Sequence, residues 1–262
     1  MAEEGKSCTV AIVLPMYNEE KSIPFLRKMF NDIQTLIPGC DVVIIAVDDG
    51  STDRTRELVA QWAFQDSRLK VVSHLRNMGL GQAVLSGIRE AILGGTNCII
   101  TMDADATHPV EIIERLVESV IRGGADISIA SRFTKGGAQI GVSLGRRILS
   151  WGVRQLFSLI FKVEGVTDYT TNFRAYRTEL VSNALLKSSN PFLKMHTFAA
   201  VAELLLKLVP LAKKITEVPL VLRYDFKKSP SKLKLLKTIA EYFRLCFIPK
   251  ESCVLGRGLK IL

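Results

Sequence analysis

The segment CIITMDADATHP, residues 98–109, ends an apolar run with two aspartates that stand one residue apart. The run over 97–102 is short, continuous and β-branched, which predicts a buried strand. Asp103 and Asp105 follow it directly. Like charges a few ångströms apart repel by about 1 kcal/mol in water and by more in a protein cleft. The pair therefore indicates a site where a cation or hydrogen-bond donors hold two carboxylates together.

The same pattern of an apolar strand followed by a helix repeats along the first half of the chain. Strands are predicted over 8–15, 41–47, 69–74, 97–102 and 125–131, and helices over 20–36, 52–64, 81–93 and 109–121. Ser51 or Thr52 is expected to cap the second helix, and Pro109 to lie in the first turn of the fourth. Buried strands alternating with amphipathic helices predict an α/β fold, a mostly parallel sheet covered on both faces. Ligands of such sheets bind beyond the carboxyl ends of the strands.

Four consecutive strand ends carry acidic or glycine-rich loops. They are PMYNEE (15–20), DDGSTD (48–53), RNMGLGQA (76–83) and DADATHP (103–109). Each loop alone has a structural explanation: 48–53 can begin a helix with acidic residues near its positive end, and 79–81 can simply start one. Together at one sheet edge, they favour a ligand site.

The two carboxylate pairs suit different parts of a nucleotide. Asp103 and Asp105 suit a hard divalent ion that keeps several waters and also takes phosphate oxygens. Such an ion would neutralise a leaving diphosphate. Asp48 and Asp49, beside Gly50, offer acceptors to a base or a ribose and a turn that allows close approach.

Length and composition limit the class of protein. A chain of 262 residues forms one large domain or two small ones and needs no disulfides to bury a core. Its five cysteines are scattered, which predicts reduced thiols in a cytosolic protein. The N-terminus is polar, so no signal peptide is expected, and no apolar run reaches the length of a membrane span.

The net charge of +9 favours an anionic partner, although solubility alone would also explain it. Basic residues crowd the second half, where 141–163 and 231–247 combine an apolar side with arginines or lysines. Basic amphipathic helices are typical of membrane surfaces, and packing onto the sheet is the alternative. Without a membrane span, binding would be peripheral or through a membrane-anchoring subunit.

Two enzyme families use an aspartate motif of this kind. Haloacid-dehalogenase-like phosphatases place D-x-D-x-T after a strand near the chain start, with further acidic residues downstream. Here the motif follows the fourth predicted strand, and no strand-end acidic pair follows residue 131. The phosphatase is therefore the weaker alternative. A nucleotide-binding subunit without catalysis is a further one.

The fuller match is to the family 2 glycosyltransferases of the GT-A fold. VLPMYNEE, VDDGSTDRT, RNMGLGQAVLSGI and MDADATHP resemble that family in order and spacing, over roughly residues 9–225. SRFTKGG, GRRILS and TNFRAYR further resemble its polyprenyl-phosphate branch, which includes the dolichol-phosphate mannose synthases. The resemblance implies an inverting, metal-dependent hexosyltransferase that uses GDP-mannose or a UDP-hexose.

The resemblance also implies roles for individual residues. Nucleotide-sugar binding would involve Pro15, Tyr17, Glu19, Asp48, Asp49, Gly79, Gln82 and Asp103. Asp103 and Asp105 would bind Mg²⁺ or Mn²⁺, and Asp105, Arg132 and Arg174 would be catalytic. Thr107 stands where some relatives carry a glutamine ligand, Thr171 and Asn172 replace a Gly-Ser pair, and RYDFKKSPSKL has a longer Arg-to-Ser-Lys spacing than expected. These departures concern the metal, the sugar and the acceptor.

The class of acceptor is predicted from the lack of an evident general base in the sequence. Transfer to a hydroxyl normally needs a general base, and no Glu-Asp pair lies between 165 and 210. A phosphate is already ionised and needs cations instead. The candidates, each of which could also be an ordinary surface charge, are Arg132, Arg146, Arg174 and Lys232, with Arg177 as a further one. A hydroxyl acceptor, with Glu203 as the base, is the alternative.

These observations predict a catalytic domain over 1–225 and a basic amphipathic segment over 226–262 at a membrane surface. The expected partners are a nucleoside-diphosphate sugar, a polyprenyl phosphate and an anionic membrane, and no nucleic acid. The expected location is peripheral, on the cytoplasmic face of a membrane.

Overall fold

The fold is built on a seven-stranded mixed sheet. The computed structural model describes residues 8–188, 191–227 and 235–247. The strands of the sheet are β1 Cys8–Met16, β2 Cys40–Asp48, β3 Leu69–Ser73, β4 Cys98–Thr101, β5 Ile127–Ser131, β7 Arg174–Arg177 and β8 Ile215–Pro219. Two short strands, β6 Ala138–Ile140 and β9 Val221–Arg223, pair in parallel as a separate ribbon.

Helices cover both faces of this sheet, which confirms the predicted α/β class. They are α1 Ile23–Phe30, α2 Ile33–Leu36, α3 Thr55–Gln65, α4 Leu80–Leu93, α5 Glu111–Ile121, α6 Leu144–Phe161, α7 Thr178–Lys187, α8 Ala199–Leu208 and α9 Leu235–Cys246, with 3₁₀ turns at Val209–Leu211 and Tyr224–Phe226. The first three helices and α5 bury their apolar sides against one face of the sheet. Helix α4 and helices α6 to α9 cover the other face.

The strand order, β3-β2-β1-β4-β7-β5-β8, sets the position of the site. Strands β2 and β3 lie on one side of β1, and β4 lies on the other, so the order reverses between β1 and β4. In open α/β sheets the crevice at such a reversal receives the ligand. The β1 and β4 loops, which carry Tyr17 and the two aspartates, therefore meet at this crevice.

Strand β7 interrupts the parallel order, because it pairs antiparallel with both β4 and β5. No strand was predicted for residues 174–177. The four residues of β7, RAYR, begin and end with arginine and so lack the apolar run that marks the other central strands. The insertion brings the segment before β7 next to the end of β4, where Thr101 Oγ1 donates to the Asn172 carbonyl at 2.7 Å.

The five predicted strands and four predicted helical regions are present, with local corrections. The region 20–36 forms two helices, α1 and α2. Ser51 and Thr52 do not cap α3, because both contact Asn18: Ser51 Oγ accepts from its amide at 3.0 Å and the Thr52 amide donates to its Oδ1 at 2.8 Å. Pro109 precedes α5, which begins at Glu111.

The expectation of five reduced thiols is wrong for one pair. Cys8 and Cys40 form a disulfide, and they are partners in the parallel register of β1 and β2. Their separation of 32 residues gives no sign of this contact in the sequence. Cys98 and Cys246 are free, and burial raises the pKa of the Cys98 thiol to about 12.

Helices α6 and α9 each leave an apolar stripe exposed. On α6, only Val153 and Phe157 are buried, and the exposed stripe consists of Leu144, Ile148, Trp151 and Leu159. On α9, Tyr242 and Leu245 are buried, and the exposed apolar side chains there and just beyond are Leu236, Phe243 and Phe247. In the residues described, no helix has both the length and the apolar character that crossing a bilayer requires.

Candidate functional site

A cleft of about 920 Å³ opens at the carboxyl ends of β1, β2 and β4. Most of the predicted site residues line it: Pro15, Tyr17, Glu19, Asp49, Gly79, Asp103, Asp105, Arg132 and Arg146. Four predicted residues, Asp48, Gln82, Arg174 and Arg177, are not part of its lining, and Arg177 is paired with Asp126 at 3.3 Å. Lys232 lies outside the described residues.

The loop after β1 forms one side of the cleft and is fixed by Glu19. This side chain is 8% exposed, and its carboxylate accepts a hydrogen bond from Ser22 Oγ at 2.7 Å. Its backbone amide donates to Thr55 Oγ1, also at 2.7 Å. The contacts join the loop to α1 and α3, so Pro15 and Tyr17 are presented to the cleft by a rigid turn.

The two aspartates after β2 have structural partners. Asp48 is fully buried, and its carboxylate accepts from the Ser51 amide at 3.0 Å and from Arg56 Nε at 2.8 Å. Its expected contact with a base or ribose is therefore corrected to a role in shaping the turn. Gln82 is likewise turned away, toward the Leu193 carbonyl.

Asp49 lines the cleft, but its carboxylate oxygens accept hydrogen bonds from the loop before α4. It accepts from the Met78 and Gly79 amides at 2.8 and 2.9 Å and contacts His74 Nδ1 at 2.7 Å. Gly79 has φ +93°, and a Cβ there would lie 2.6 Å from the His196 carbonyl oxygen. The glycine is thus required by close backbone packing at the edge of the cleft.

The two aspartates that follow β4 both line the cleft. Asp103 Oδ1 accepts from Asn172 Nδ2 at 3.0 Å, and the Asp103 amide donates to His108 Nδ1 at 3.2 Å. Asp105 Oδ1 accepts from Thr107 Oγ1 at 2.6 Å, and its Oδ2 is paired with the ammonium of Lys227. The pair is therefore held by donors and by one cation, as the sequence predicted for two close carboxylates.

The surroundings of Asp103 and Asp105 shift the pKa values of the two carboxylates in opposite directions. Burial raises the pKa of Asp103. Burial also acts to raise the pKa of Asp105, but the charges of Lys227 and His108 together with hydrogen bonds from Lys227 and Thr107 outweigh it, so that pKa is lowered. Burial lowers the pKa of His108, whose ring stacks on Phe173 at 4.8 Å. The site therefore favours a cation beside Asp105.

The donor set fits a divalent ion held by two carboxylates. The described residues contain no group of three or more His, Cys, Asp or Glu side chains that could hold a metal. Thr107 does not supply a third ligand here, because its hydroxyl donates to Asp105. Mg²⁺ and Mn²⁺ accept two carboxylates and complete their shells with water and phosphate oxygens. The ammonium of Lys227 already shows that Asp105 attracts a cation.

Two of the predicted arginines lie at the cleft with partners of their own. Arg132 forms a bidentate pair with Asp168, with Nε and Nη2 each 2.7 Å from a carboxylate oxygen. Its side chain is 13% exposed. Arg146 contacts both the hydroxyl and the ring of Tyr224. Both guanidinium groups are therefore oriented before any ligand binds.

Arg174 and Glu203 do not reach the cleft, which corrects two expectations. Arg174 is fully buried and donates to the carbonyls of Val201 and Tyr169, both at 2.7 Å. It is therefore unavailable to an acceptor phosphate. Glu203 is 1% exposed and forms an ion pair with Lys207 at 3.0 Å. It accepts two backbone amides as well, so it supports a loop and is not placed to act as a base.

Several side chains of the cleft were not predicted from the sequence. Asn172 was noted only as a departure from a family pattern, yet its amide fixes Asp103. Lys227 and Tyr224 come from the segment whose spacing was unexpected. Helices α6 and α9 add a wall of mixed character, in which Leu149, Val153, Ile239 and Tyr242 lie among the polar or charged side chains of Arg146, Ser150, Lys237 and Thr238. Their ring contact, Phe157 to Tyr242 at 5.4 Å, joins the two helices beside the cleft.

Comparison with known proteins gives one family. The sequence model described as Glycosyl transferase family 2 matches residues 11–185. A dolichol-phosphate mannosyltransferase of Pyrococcus furiosus is 34% identical over 236 residues, which cover 90% of this chain and 62% of the relative. An undecaprenyl-phosphate mannosyltransferase of Micrococcus luteus is 30% identical over 211 residues, covering 80% and 82%.

Among solved structures, glucosyl-3-phosphoglycerate synthase from Mycobacterium tuberculosis, in complex with Mn²⁺, UDP and glucosyl-3-phosphoglycerate, has a similar fold. Its TM-score is 0.66 at 21% identity, with 92% of this chain and 81% of that chain covered. The chain thus spans most of that structure but less than two thirds of the Pyrococcus relative.

Proposed function

Because the chain belongs to glycosyltransferase family 2, we propose that it transfers a hexose from a nucleoside-diphosphate sugar to a polyprenyl phosphate, with inversion at the sugar. Family membership decides against the haloacid-dehalogenase-like phosphatase. The relatives of Pyrococcus and Micrococcus are mannosyltransferases that act on dolichyl and undecaprenyl phosphate by name, which favours this acceptor class.

The observation that carries the proposal is the composition of the cleft. Its floor holds two carboxylates and the glycine-rich edge of α4, which suit a diphosphate and its counter-ion. The wall from α6 and α9 sets the apolar side chains Leu149, Val153, Ile239 and Tyr242 beside the cations Arg146 and Lys237, and a hydrophilic sugar acceptor would not require that apolar surface. A polyprenyl phosphate has one end for each surface, a charged phosphate and a hydrocarbon chain.

The donor is proposed to lie along the strand ends. Pro15, Tyr17 and Gly79 line the part of the cleft beside the β1 and β2 loops, where a nucleotide would fit. Asp103 and Asp105 would hold Mg²⁺ or Mn²⁺. When bound, such an ion neutralises charge on the diphosphate as it leaves.

The acceptor phosphate is proposed to lie near Arg132 and Arg146. An oxygen of this phosphate attacks the anomeric carbon as the bond to the diphosphate breaks, and it is ionised before it binds, so no strong base is needed. Arg146 lines the cleft from α6 and can turn from Tyr224 to a phosphate. Arg132 contributes charge while Asp168 fixes its orientation.

Membrane association is proposed to use the exposed stripes of α6 and α9. Leu144, Ile148 and Trp151 lie on one side of α6, with Arg147 exposed nearby. Apolar side chains beside arginine suit the boundary of an anionic membrane. The mouth of the cleft would then lie at the lipid surface, and binding is proposed to be peripheral, on the cytoplasmic face. Helix α9, in the described part of the predicted segment 226–262, would add to the same contact, residues 228–234 and 248–262 lie outside the described residues, and a membrane-anchoring subunit is the alternative.

The proposed reaction is tested by a donor screen. The protein, with Mg²⁺ or Mn²⁺ and a short polyprenyl phosphate, is incubated with labelled GDP-mannose, UDP-glucose or UDP-GlcNAc. We expect sugar transfer to the lipid from one donor and loss of transfer on chelation of the metal. No transfer and no nucleotide release from any donor would contradict the enzyme. A soluble sugar or protein hydroxyl that outperforms every polyprenyl phosphate would contradict the acceptor.

A vesicle-binding assay tests the membrane contact. We expect binding to vesicles with anionic lipid that weakens as salt rises, because salt screens the basic contribution. Trp151→Ala should weaken this binding by about tenfold, as expected when most of an apolar side chain no longer enters the lipid boundary. Sedimentation with the vesicles measures it.

Phe64→Ala provides a matched control. Phe64 is also an exposed aromatic residue, at 93%, but it lies on α3, which covers the other face of the sheet. Its replacement should leave vesicle binding unchanged. Equal losses for both variants would show that the α6 stripe is not the contact.

A further inference from the structure

The carboxylate of Asp105 is already engaged by a cation that belongs to the chain. The Lys227 ammonium is paired with Asp105 Oδ2, and the two side chains are only 15% and 11% exposed. They are 122 residues apart in the sequence. No strand-end motif predicts this contact, and both residues line the cleft, so the pair requires an explanation.

The segment that carries Lys227 is fixed across the aspartate loop. The Arg223 amide donates to the Thr107 carbonyl at 3.2 Å, which joins β9 to the residues just after Asp105. The 3₁₀ turn then places Tyr224 between two cations, with Arg146 at 5.3 Å and Lys227 at 5.2 Å from its ring. We name residues 223–227 the strap.

Both oxygens of Asp105 are in use. Oδ1 accepts from the hydroxyl and amide of Thr107, at 2.6 and 3.2 Å, and Oδ2 accepts from Lys227. The bonds to Thr107 are local and hold the loop in shape. A divalent ion that approaches Asp105 from the cleft must therefore take the oxygen that Lys227 holds. An ammonium and a divalent ion repel each other strongly at such a distance.

On this basis, and resting on the function proposed above, we propose that Lys227 is an internal counter-ion that the divalent metal displaces and that then pairs with the donor diphosphate. A lysine suits this exchange, since its ammonium is a point charge on a flexible four-carbon stem. When the metal displaces Lys227, the ammonium would move from Asp105 to the diphosphate of the donor.

The proposal predicts opposite effects of one substitution on two binding reactions. In Lys227→Met, Mn²⁺ alone should bind about tenfold more tightly, because no internal cation competes for Asp105. With Mn²⁺ saturating, GDP or UDP, whichever the wild type prefers, should bind about tenfold more weakly, because the diphosphate loses a cation. Electron paramagnetic resonance of free Mn²⁺ measures the first, and calorimetry measures the second.

Two further variants serve as controls. Lys237→Met removes the same charge from another residue that lines the cleft, on α9, without touching Asp105, so both affinities should change by less than about threefold. Lys227→Arg keeps the charge and should stay near the wild type in the Mn²⁺ titration. Thermal unfolding of each variant shows that the fold is intact.

Each remaining outcome contradicts a defined part of the proposal. Unchanged Mn²⁺ affinity in Lys227→Met would show that the metal does not displace the lysine and that the pair only anchors the strap. Tighter binding of both Mn²⁺ and nucleotide would show competition without transfer to the diphosphate. If the wild type binds neither GDP nor UDP, the proposed function and the diphosphate step both fail, while the Mn²⁺ titration still decides the displacement.

Discussion

Replacing Asp105 by alanine should reduce sugar transfer by about a thousandfold or more while the protein stays folded. Neutralisation of a leaving diphosphate by a metal is worth several kcal/mol, and each ~1.4 kcal/mol is a factor of ten in rate. Removing one partner of this largely buried pair leaves the Lys227 ammonium without its counter-ion, so some stability should be lost although the chain still folds. Initial rates with labelled donor measure transfer, and denaturant unfolding measures stability.

Asp225→Ala is the matched control for this experiment. Asp225 lies in the strap, two residues before Lys227, but it is exposed and paired with Arg223 at 2.8 Å. Its loss should change the transfer rate by less than about twofold. Near-normal transfer by Asp105→Ala in buffer with the metal chelated would contradict the role of this aspartate.

The strands that alternate with helices could be predicted because they are continuous apolar runs. Runs such as 8–15 and 41–47 have no polar face, as parallel strands covered on both sides require. Strand β7 has no such run, and it enters the sheet antiparallel. Helix α8 was also missed, because all ten of its residues are buried and it shows no polar side.

The site could be predicted where the chain itself places a residue at a strand end. Asp103, Asp105 and Tyr17 follow β4 and β1 directly, so the parallel topology brings them together. Asp48 is the last residue of β2, yet it pairs with Arg56, the second residue of α3, and does not line the cleft. Position along the sequence therefore predicts proximity to the site but does not predict which partner a carboxylate takes.

Long-range partners account for what the sequence did not reveal. Arg132 lies at the cleft as expected, but its guanidinium forms a bidentate pair with Asp168, 36 residues later. Lys227 contacts Asp105 across 122 residues. A pattern within one element cannot reveal such pairs. The sequence identifies the cations, and only the fold shows which of them are already neutralised.

Arg174 is the sharpest case, and Arg174→Ala should destabilise the protein without a specific effect on the acceptor. Its guanidinium is fully buried, and its two hydrogen bonds satisfy the carbonyls of Val201 and Tyr169. Truncation leaves both carbonyls without a donor and opens a cavity in the core. We expect the free energy of unfolding to fall by about 3 kcal/mol or more. Denaturant unfolding measures it.

Arg122→Ala is the control that shows how much stability is lost when a surface arginine is removed. Arg122 is 66% exposed and paired with Glu118 at 3.3 Å on the surface, so its loss should cost less than about 1 kcal/mol. At a temperature where both variants are folded, the KM for the polyprenyl phosphate should be that of the wild type. A stable Arg174→Ala protein with a greatly raised acceptor KM would return this arginine to the phosphate site. The opposite result leaves Arg132 and Arg146, which line the cleft, as the arginines that can meet the acceptor.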